Sequence, residues 1–270
     1  GWILAGLLIS FAFKWDSIAN IGQGMLSNTF TMVAVASAVL GVFSFTLPKT
    51  PPSAAKGEKV TIRDILGLDA LKLLKDRNFL VFFLSSVLIC IPLAFYYQNI
   101  SPFLTEYKVE NSTAWASLGQ ISEVGFMLLL PFFFKKYGFK KTILFGMLAW
   151  GIRYALFAYG NTGDLFFMLV IGIALHGICY DFFFVSGQIY TDSKAGEKVK
   201  SAAQGLITLA TYGIGMLVGF WVAGNIVDKN LLAEGTHSWQ DVWMFPALFA
   251  IGVLIFFAVL FKNEKVEYKA

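Results

Sequence analysis

The sequence predicts an all-α membrane protein, built as a bundle of spanning helices. Three observations predict it. Apolar residues make up 57% of the chain and charged ones only 14%, a balance outside that of soluble domains. The apolar residues gather into stretches near the roughly 20 residues that a spanning helix needs. The basic residues lie between those stretches, with Arg153 as the exception.

In chain order, residues 1–13 form an apolar stretch too short to span. Seven longer stretches follow at residues 24–47, 79–100, 114–134, 142–158, 165–190, 202–226 and 242–261. The chain opens inside an apolar run, with neither Met nor a charged leader, so sequence upstream of Gly1 is expected to be missing. Pro48-Lys49-Thr50-Pro51-Pro52 is a helix stop. Thr61-Ile62-Arg63-Asp64 is a variant of a helix-start box. Ile62, Ile65, Leu66, Leu71 and Leu74 then predict a short amphipathic helix, lying on the membrane surface or packed as a linker. Cys90 and Cys179 sit in apolar stretches and read as packing residues.

Loop charge sets the expected orientation. With the 48–77 connection in the cytoplasm, seventeen Lys and Arg fall on that side and three, Lys14, Lys108 and Lys229, on the other. The C-terminus is then cytoplasmic. The order is two helices, a long basic loop and six closely spaced helices. It matches a twelve-helix transporter with two six-helix halves that begins near the end of its fifth helix. The expected division is 1–47 as a remnant of the first bundle, 48–77 as the central loop, 78–262 as the second bundle and 263–270 as a tail.

Polar groups at bilayer depth carry the functional expectation. Glu123 stands in a run of Leu, Phe, Met and Gly, about 14 Å from the start of its stretch. An ionised residue there costs about 2.5–3.5 kcal/mol on insertion scales. Gln120 and Ser117 share its face at i, i+3 spacing. Glu123 is a candidate substrate ligand and proton carrier, or else a protonated interhelix hydrogen-bond donor; Gln120 on the same face favours the first. His176 and Tyr180 are i, i+4 neighbours, with Asp181 about 100° further round. Asp181 is read equally as a proton-handling group or as an ion pair or cap. His176 is read as a ligand contact or a packing histidine. Tyr96, Tyr97, Gln98 and Asn99 follow Pro92, which can bend the helix. Aromatics beside amides suit a flat polar ligand, though an interfacial tyrosine belt has the same composition. Arg153 is expected to be structural, through a carboxylate pair or by snorkelling. Gly215 and Gly219 form a small-xxx-small step. Asn111-Ser112-Thr113 matches a glycosylation sequon, a weak pattern. No zinc spacing, P-loop or nucleophile elbow occurs, which argues against an enzyme, a metal site or a cofactor.

Several strings occur in order: Gly1-Trp2-Ile3, Gln120-Ile121-Ser122-Glu123, Arg153-Tyr154, Tyr180-Asp181-Phe182-Phe183, Ala203-Gln204-Gly205-Leu206 and Trp239…Trp243…Pro246. The set resembles the nucleoside:proton symporters of the major facilitator superfamily over nearly the whole chain. The resemblance implies that superfamily's bundle from the end of helix 5 through helix 12. It further implies proton-coupled nucleoside uptake by a monomer in the bacterial inner membrane, with nucleoside, protons and lipid as partners and no nucleic acid. It implies substrate contacts at Gln98, Asn99, Gln120, Glu123, Tyr180 and Trp2, and at His176, where the family carries an aromatic. Glu123 and Asp181 are the implied proton-coupling residues. A sugar:proton symporter is the near alternative; a membrane-embedded enzyme or a scaffold is the distant one.

Overall fold

A computed structural model describes residues 1–49 and 67–264 of the chain. The described residues are nearly all helical, and their one β feature is an isolated bridge between Leu231 and His237. Helix α1, Trp2–Ala12, winds into π geometry over Leu8–Ala12. After the short α2, Ile18–Ile21, comes α3, Asn28–Ser44. No residue of α3 is buried, and Phe30, Leu40 and Phe45 stand exposed along it. A six-helix bundle follows: α4, Arg77–Glu106; α5 and α6, residues 112–137 and 139–159; α7, Phe166–Glu197; α8, Val199–Lys229; and α9, Trp239–Leu260. Among the described residues, six helices are long and apolar enough to cross a membrane, with α5 and α6 counted as one 48-residue element and α3 included.

The expected spans are found as helices, longer than hydropathy marked except for α3, which is shorter. The α4 helix runs unbroken through Pro92 and Pro102 to Glu106. Hydropathy registers only the width of hydrocarbon, whereas backbone hydrogen bonding carries a helix on into polar surroundings. The turns are nearly nothing: Gly138 alone, at φ 74°, separates α5 from α6, and Gly196, at φ 67° beside the end of α7, turns the chain into α8. An L side chain is disfavoured at such φ, so these glycines set where each helix pair folds back.

Part of the linker helix predicted from Thr61 onward lies outside the described residues. Its described end is a 3-10 helix, Leu68–Lys75. Ala70 is buried, Leu73 and Leu74 pack against the core, and Gly67 approaches Ala202 on α8. For these residues the packed arrangement holds.

Aromatic side chains fill the bundle core. At one end Phe139 stacks on Tyr190 with centroids 4.4 Å apart, and Phe82 meets Tyr190 edge-on at 5.2 Å. Further along, Tyr154 stacks on Trp243 at 5.7 Å. Rigid rings bury large area while losing few rotamers.

Helix ends find their partners far away in sequence. At the start of α5, the Thr113 N–H donates to Asp16 Oδ2 at 2.9 Å and the Ala114 N–H donates to Ser10 Oγ at 2.9 Å. Ser10 Oγ donates to Asp16 at 2.6 Å, and both residues are buried. The N-terminal segment thus satisfies the otherwise unpaired first amides of a bundle helix. Glu110 returns the contact by accepting from the Ile18 N–H at 3.3 Å. At the opposite end, Lys140 Nζ donates to the last carbonyls of α9, Ala258 at 2.8 Å and Phe261 at 2.6 Å. Asn78 pairs reciprocally with the backbone of Lys262.

Asp76 caps α4 by accepting from the Phe79 N–H at 2.9 Å, and Lys194 approaches it at 3.2 Å. Partial burial alone would raise its carboxyl pKa; the bonds from Phe79 and Lys194 outweigh that and hold it below its ordinary value. A depressed folded-state pKa stabilises above the unfolded value, near 3.9, and the benefit is lost as pH falls through the folded value. Asp76→Ala should therefore cost about 1 kcal/mol at pH 7. In melting curves of the detergent-solubilised protein, its deficit should shrink as the pH drops below about 4. A deficit independent of pH would exclude the charge of Asp76 as its source.

Candidate functional site

Glu123 of α5, Arg153 of α6 and His176 of α7 come together where those three helices meet. Small residues allow that meeting. A Cβ on Gly177 of α7 would fall 2.6 Å from the Ser122 carbonyl carbon and 2.7 Å from the Glu123 nitrogen. A Cβ on Gly119 of α5 would fall 3.1 Å from His176 Cβ. The two backbones thus touch, and the Gly177 N–H donates to Ser122 Oγ at 3.1 Å. Close approach through glycine with a serine bond is a common means of helix association in a membrane, where the hydrophobic effect gives no drive.

This contact drives His176 into the bundle, where it is 2% exposed. Its Nδ1 lies 2.9 Å from Nη1 of Arg153 on α6, and its Nε2 lies 3.9 Å from Glu123 Oε2. Tyr96 of α4 stacks on the imidazole at 5.4 Å, and Arg153 Cζ sits 3.6 Å from the Tyr96 ring centre. Arg153 is fully buried. It neither snorkels nor meets a carboxylate within ion-pair distance among the described residues, so both expected forms of its structural role are corrected. Its charge rests against an aromatic face and an imidazole lone pair.

Glu123 keeps 23% of its side chain exposed, and Gln120 one turn earlier is partly exposed. Ser117, on the same stripe, is taken up by packing: it bonds Thr113 O, and Gly6 of α1 lies against it. Tyr180 is partly exposed, and its hydroxyl meets that of Tyr212 on α8 at 2.8 Å. Tyr212 lies in the π-helical stretch Leu209–Gly215. Sequence reasoning missed it; the available signal was a phenol at depth among glycines, Tyr212-Gly213. Gln98 is exposed and approaches Gly224 of α8, 3.6 Å from where a Cβ would stand. Asn99 next to it is 3% exposed with an unpartnered Nδ2. Adjacent helical residues diverge by about 100°, so the two amides reach different surroundings. Trp2 is 75% exposed on α1 and is not in contact with this group among the described residues. Asp181 is fully buried, opens the π-helical stretch Asp181–Val185, and neither carboxylate oxygen has a hydrogen-bond partner. Such π segments often mark functional positions.

The result is a partly exposed carboxylate with an amide one turn earlier and phenols nearby, backed through His176 by a buried cation. Among the described residues no cluster of His, Cys, Asp or Glu could hold a metal ion. The set can donate and accept hydrogen bonds around a flat polar molecule and can move a proton at Glu123 Oε.

Known proteins match the chain throughout. Residues 1–266 match the family described as nucleoside H+ symporter. The chain belongs to this family. It is 42% identical over 277 residues to YegT of Escherichia coli K12, named as a candidate nucleoside transporter; the match covers 100% of the chain and 64% of YegT. It is 31% identical to the xanthosine permease of the same organism, covering 87% of the chain and 59% of that protein. Among solved structures, an aspartate-to-alanine mutant of the nucleoside transporter NupG superposes with a TM-score of 0.78 at 28% identity, covering 96% of the chain and 65% of that structure. The chain thus spans somewhat under two thirds of the length of these relatives. It has the major facilitator fold and is a multi-pass membrane protein. The matched relatives are named as transporters and permeases.

The contact at Gly177 gives a test of the assembly. Ala is favoured over Gly inside a helix by about 1 kcal/mol. Here the added methyl meets backbone atoms of α5, which cannot rotate away, and overpacking costs about 1–3 kcal/mol. Gly177→Ala should therefore lower the melting temperature of the solubilised protein, and Gly177→Val should lower it further. A rise in melting temperature would show that α5 and α7 are not locked here.

Proposed function

We propose that the chain carries the second bundle and part of the first of a proton-coupled nucleoside uptake system working by alternating access. The observation that carries the reading is Glu123: a partly exposed carboxylate within an apolar helix, with Gln120 one turn earlier on its face, His176 behind it and the Tyr180–Tyr212 pair nearby. A nucleoside offers a flat base with polar edges and a sugar with hydroxyls. Amides of Gln98 and Gln120 pair with base edges, Glu123 accepts from hydroxyls, and Tyr180 supplies an aromatic face. His176 backs Glu123 and Asn99 lines the wall behind Gln98. Trp2 joins the set through the family resemblance. Glu123 takes up and releases the coupled proton, and Asp181, buried and unpartnered, serves the proton path.

The names of the relatives support a nucleoside over a sugar as substrate. The basic loops support a cytoplasmic C-terminus in the bacterial inner membrane. The division into 1–47, 48–77, 78–262 and 263–270 follows from the same reading, with the substrate held between the two bundles of a monomer.

Two measurements test it. In proteoliposomes with a proton gradient, the full-length protein should accumulate labelled uridine, unaffected by excess disaccharide. Glu123→Gln should abolish accumulation while retaining exchange, because the amide keeps hydrogen bonds but carries no proton. Gradient-driven accumulation by this variant at the normal level removes Glu123 from coupling.

Gln98→Ala and Gln120→Ala should each weaken nucleoside binding about 5- to 150-fold, the equivalent of about 1–3 kcal/mol for a stranded polar partner. Unaltered affinity in both removes these helices from the site.

A further inference from the structure

Arg153 lies behind the candidate site, not in it. A guanidinium only donates hydrogen bonds and stays charged at all relevant pH. Its Nη1, 2.9 Å from His176 Nδ1, therefore donates, and Nδ1 must present its lone pair. The single ring proton of His176 is then on Nε2, the nitrogen 3.9 Å from Glu123 Oε2. An imidazolium would set an N–H against an N–H, and two cations 2.9 Å apart, at residues 2% and 0% exposed. The ring cannot turn over to exchange its nitrogens freely. Tyr96 covers one face, and Gly119 packs at its Cβ. Arg153 itself lies 3.6 Å from the Tyr96 ring.

We propose that Arg153 is a positioning residue: by occupying Nδ1 it fixes His176 as the neutral Nε2–H tautomer, so that Glu123 always faces a hydrogen-bond donor and never a competing base. His176 then cannot serve as a proton carrier. The proton exchanged at this site is left to the carboxylates, Glu123 on α5 and Asp181 on α7. The other titratable groups near Arg153, His176 and Glu123 are the phenols of Tyr96 and Tyr97 on α4, Tyr154 on α6, Tyr180 on α7 and Tyr212 on α8, and the thiol of Cys179 on α7. The part concerning Glu123 rests on the transport reading above; the tautomer does not.

The test is the nitrogen-15 spectrum of histidine-labelled protein in lipid bilayers, with the His176 signals assigned by their loss in His176→Gln. In the wild type, His176 should show a bare Nδ1 and a protonated Nε2, unchanged between pH 8 and pH 5. In Arg153→Met, the imidazolium form should appear at pH 5. Arg153→Lys, which keeps a cationic donor, should restore the wild-type pattern. A protonated Nδ1 or an imidazolium in the wild type at pH 5 overturns the proposal, and so does a wild-type spectrum in Arg153→Met. If Arg153→Met does not fold, the wild-type spectrum still decides. The spectrum needs no transport, so an absence of uridine uptake would defeat the functional reading and leave this result standing.

Discussion

A guanidinium sealed inside an apolar bundle is the constraint around which the site is arranged. Burying an unpaired charge is expensive, and no carboxylate lies within ion-pair distance of Arg153 among the described residues. The charge is instead spread onto softer partners: the face of Tyr96 and the lone pair of His176. Those partners are thereby fixed in place. Tyr96 must stand flat, His176 must turn Nδ1 inward, and Nε2 then points toward Glu123. One buried cation sets the orientation of two side chains, on α4 and α7, and thereby what Glu123 on α5 faces.

That arrangement depends on backbone distance. With any side chain larger than hydrogen at residue 177, α5 and α7 would separate. His176 would then withdraw from Glu123, already 3.9 Å away. The glycines thus act on the site although they carry no chemistry. The same economy operates at the helix ends, where Ser10 and Asp16 cap α5 from about a hundred residues away. Such contacts join the N-terminal segment to the bundle through hydrogen bonds that can be broken and remade.

The aromatic core plays the opposite part. Rings such as Phe139, Tyr190, Tyr154 and Trp243 interlock within the six-helix unit. They hold the helices at fixed spacing, and the helical geometry departs from regular α at the π-helical stretches beginning at Asp181 and Leu209. These are the irregular segments of α7 and α8, and they carry Asp181 and Tyr212.

The sequence by itself determined the fold class, the spans and the family, because each is written in local patterns: runs of apolar residues, basic loops, and ordered strings such as Gln120-Ile121-Ser122-Glu123. It also marked Glu123 as exceptional, since a carboxylate in hydrocarbon stands out without knowledge of its neighbours. It could not tell Gln98 from Asn99, because which of two adjacent amides is exposed depends on the helix opposite. Nor could it place Tyr212 beside Tyr180, or find that Arg153 and His176 are partners. Those facts depend on contact between helices that lie 23 or 32 residues apart in sequence. Contact of that kind is set by close packing at Gly119 and Gly177, where the absence of a side chain is the deciding feature. A one-dimensional pattern records what a residue is; only the tertiary structure decides what it faces.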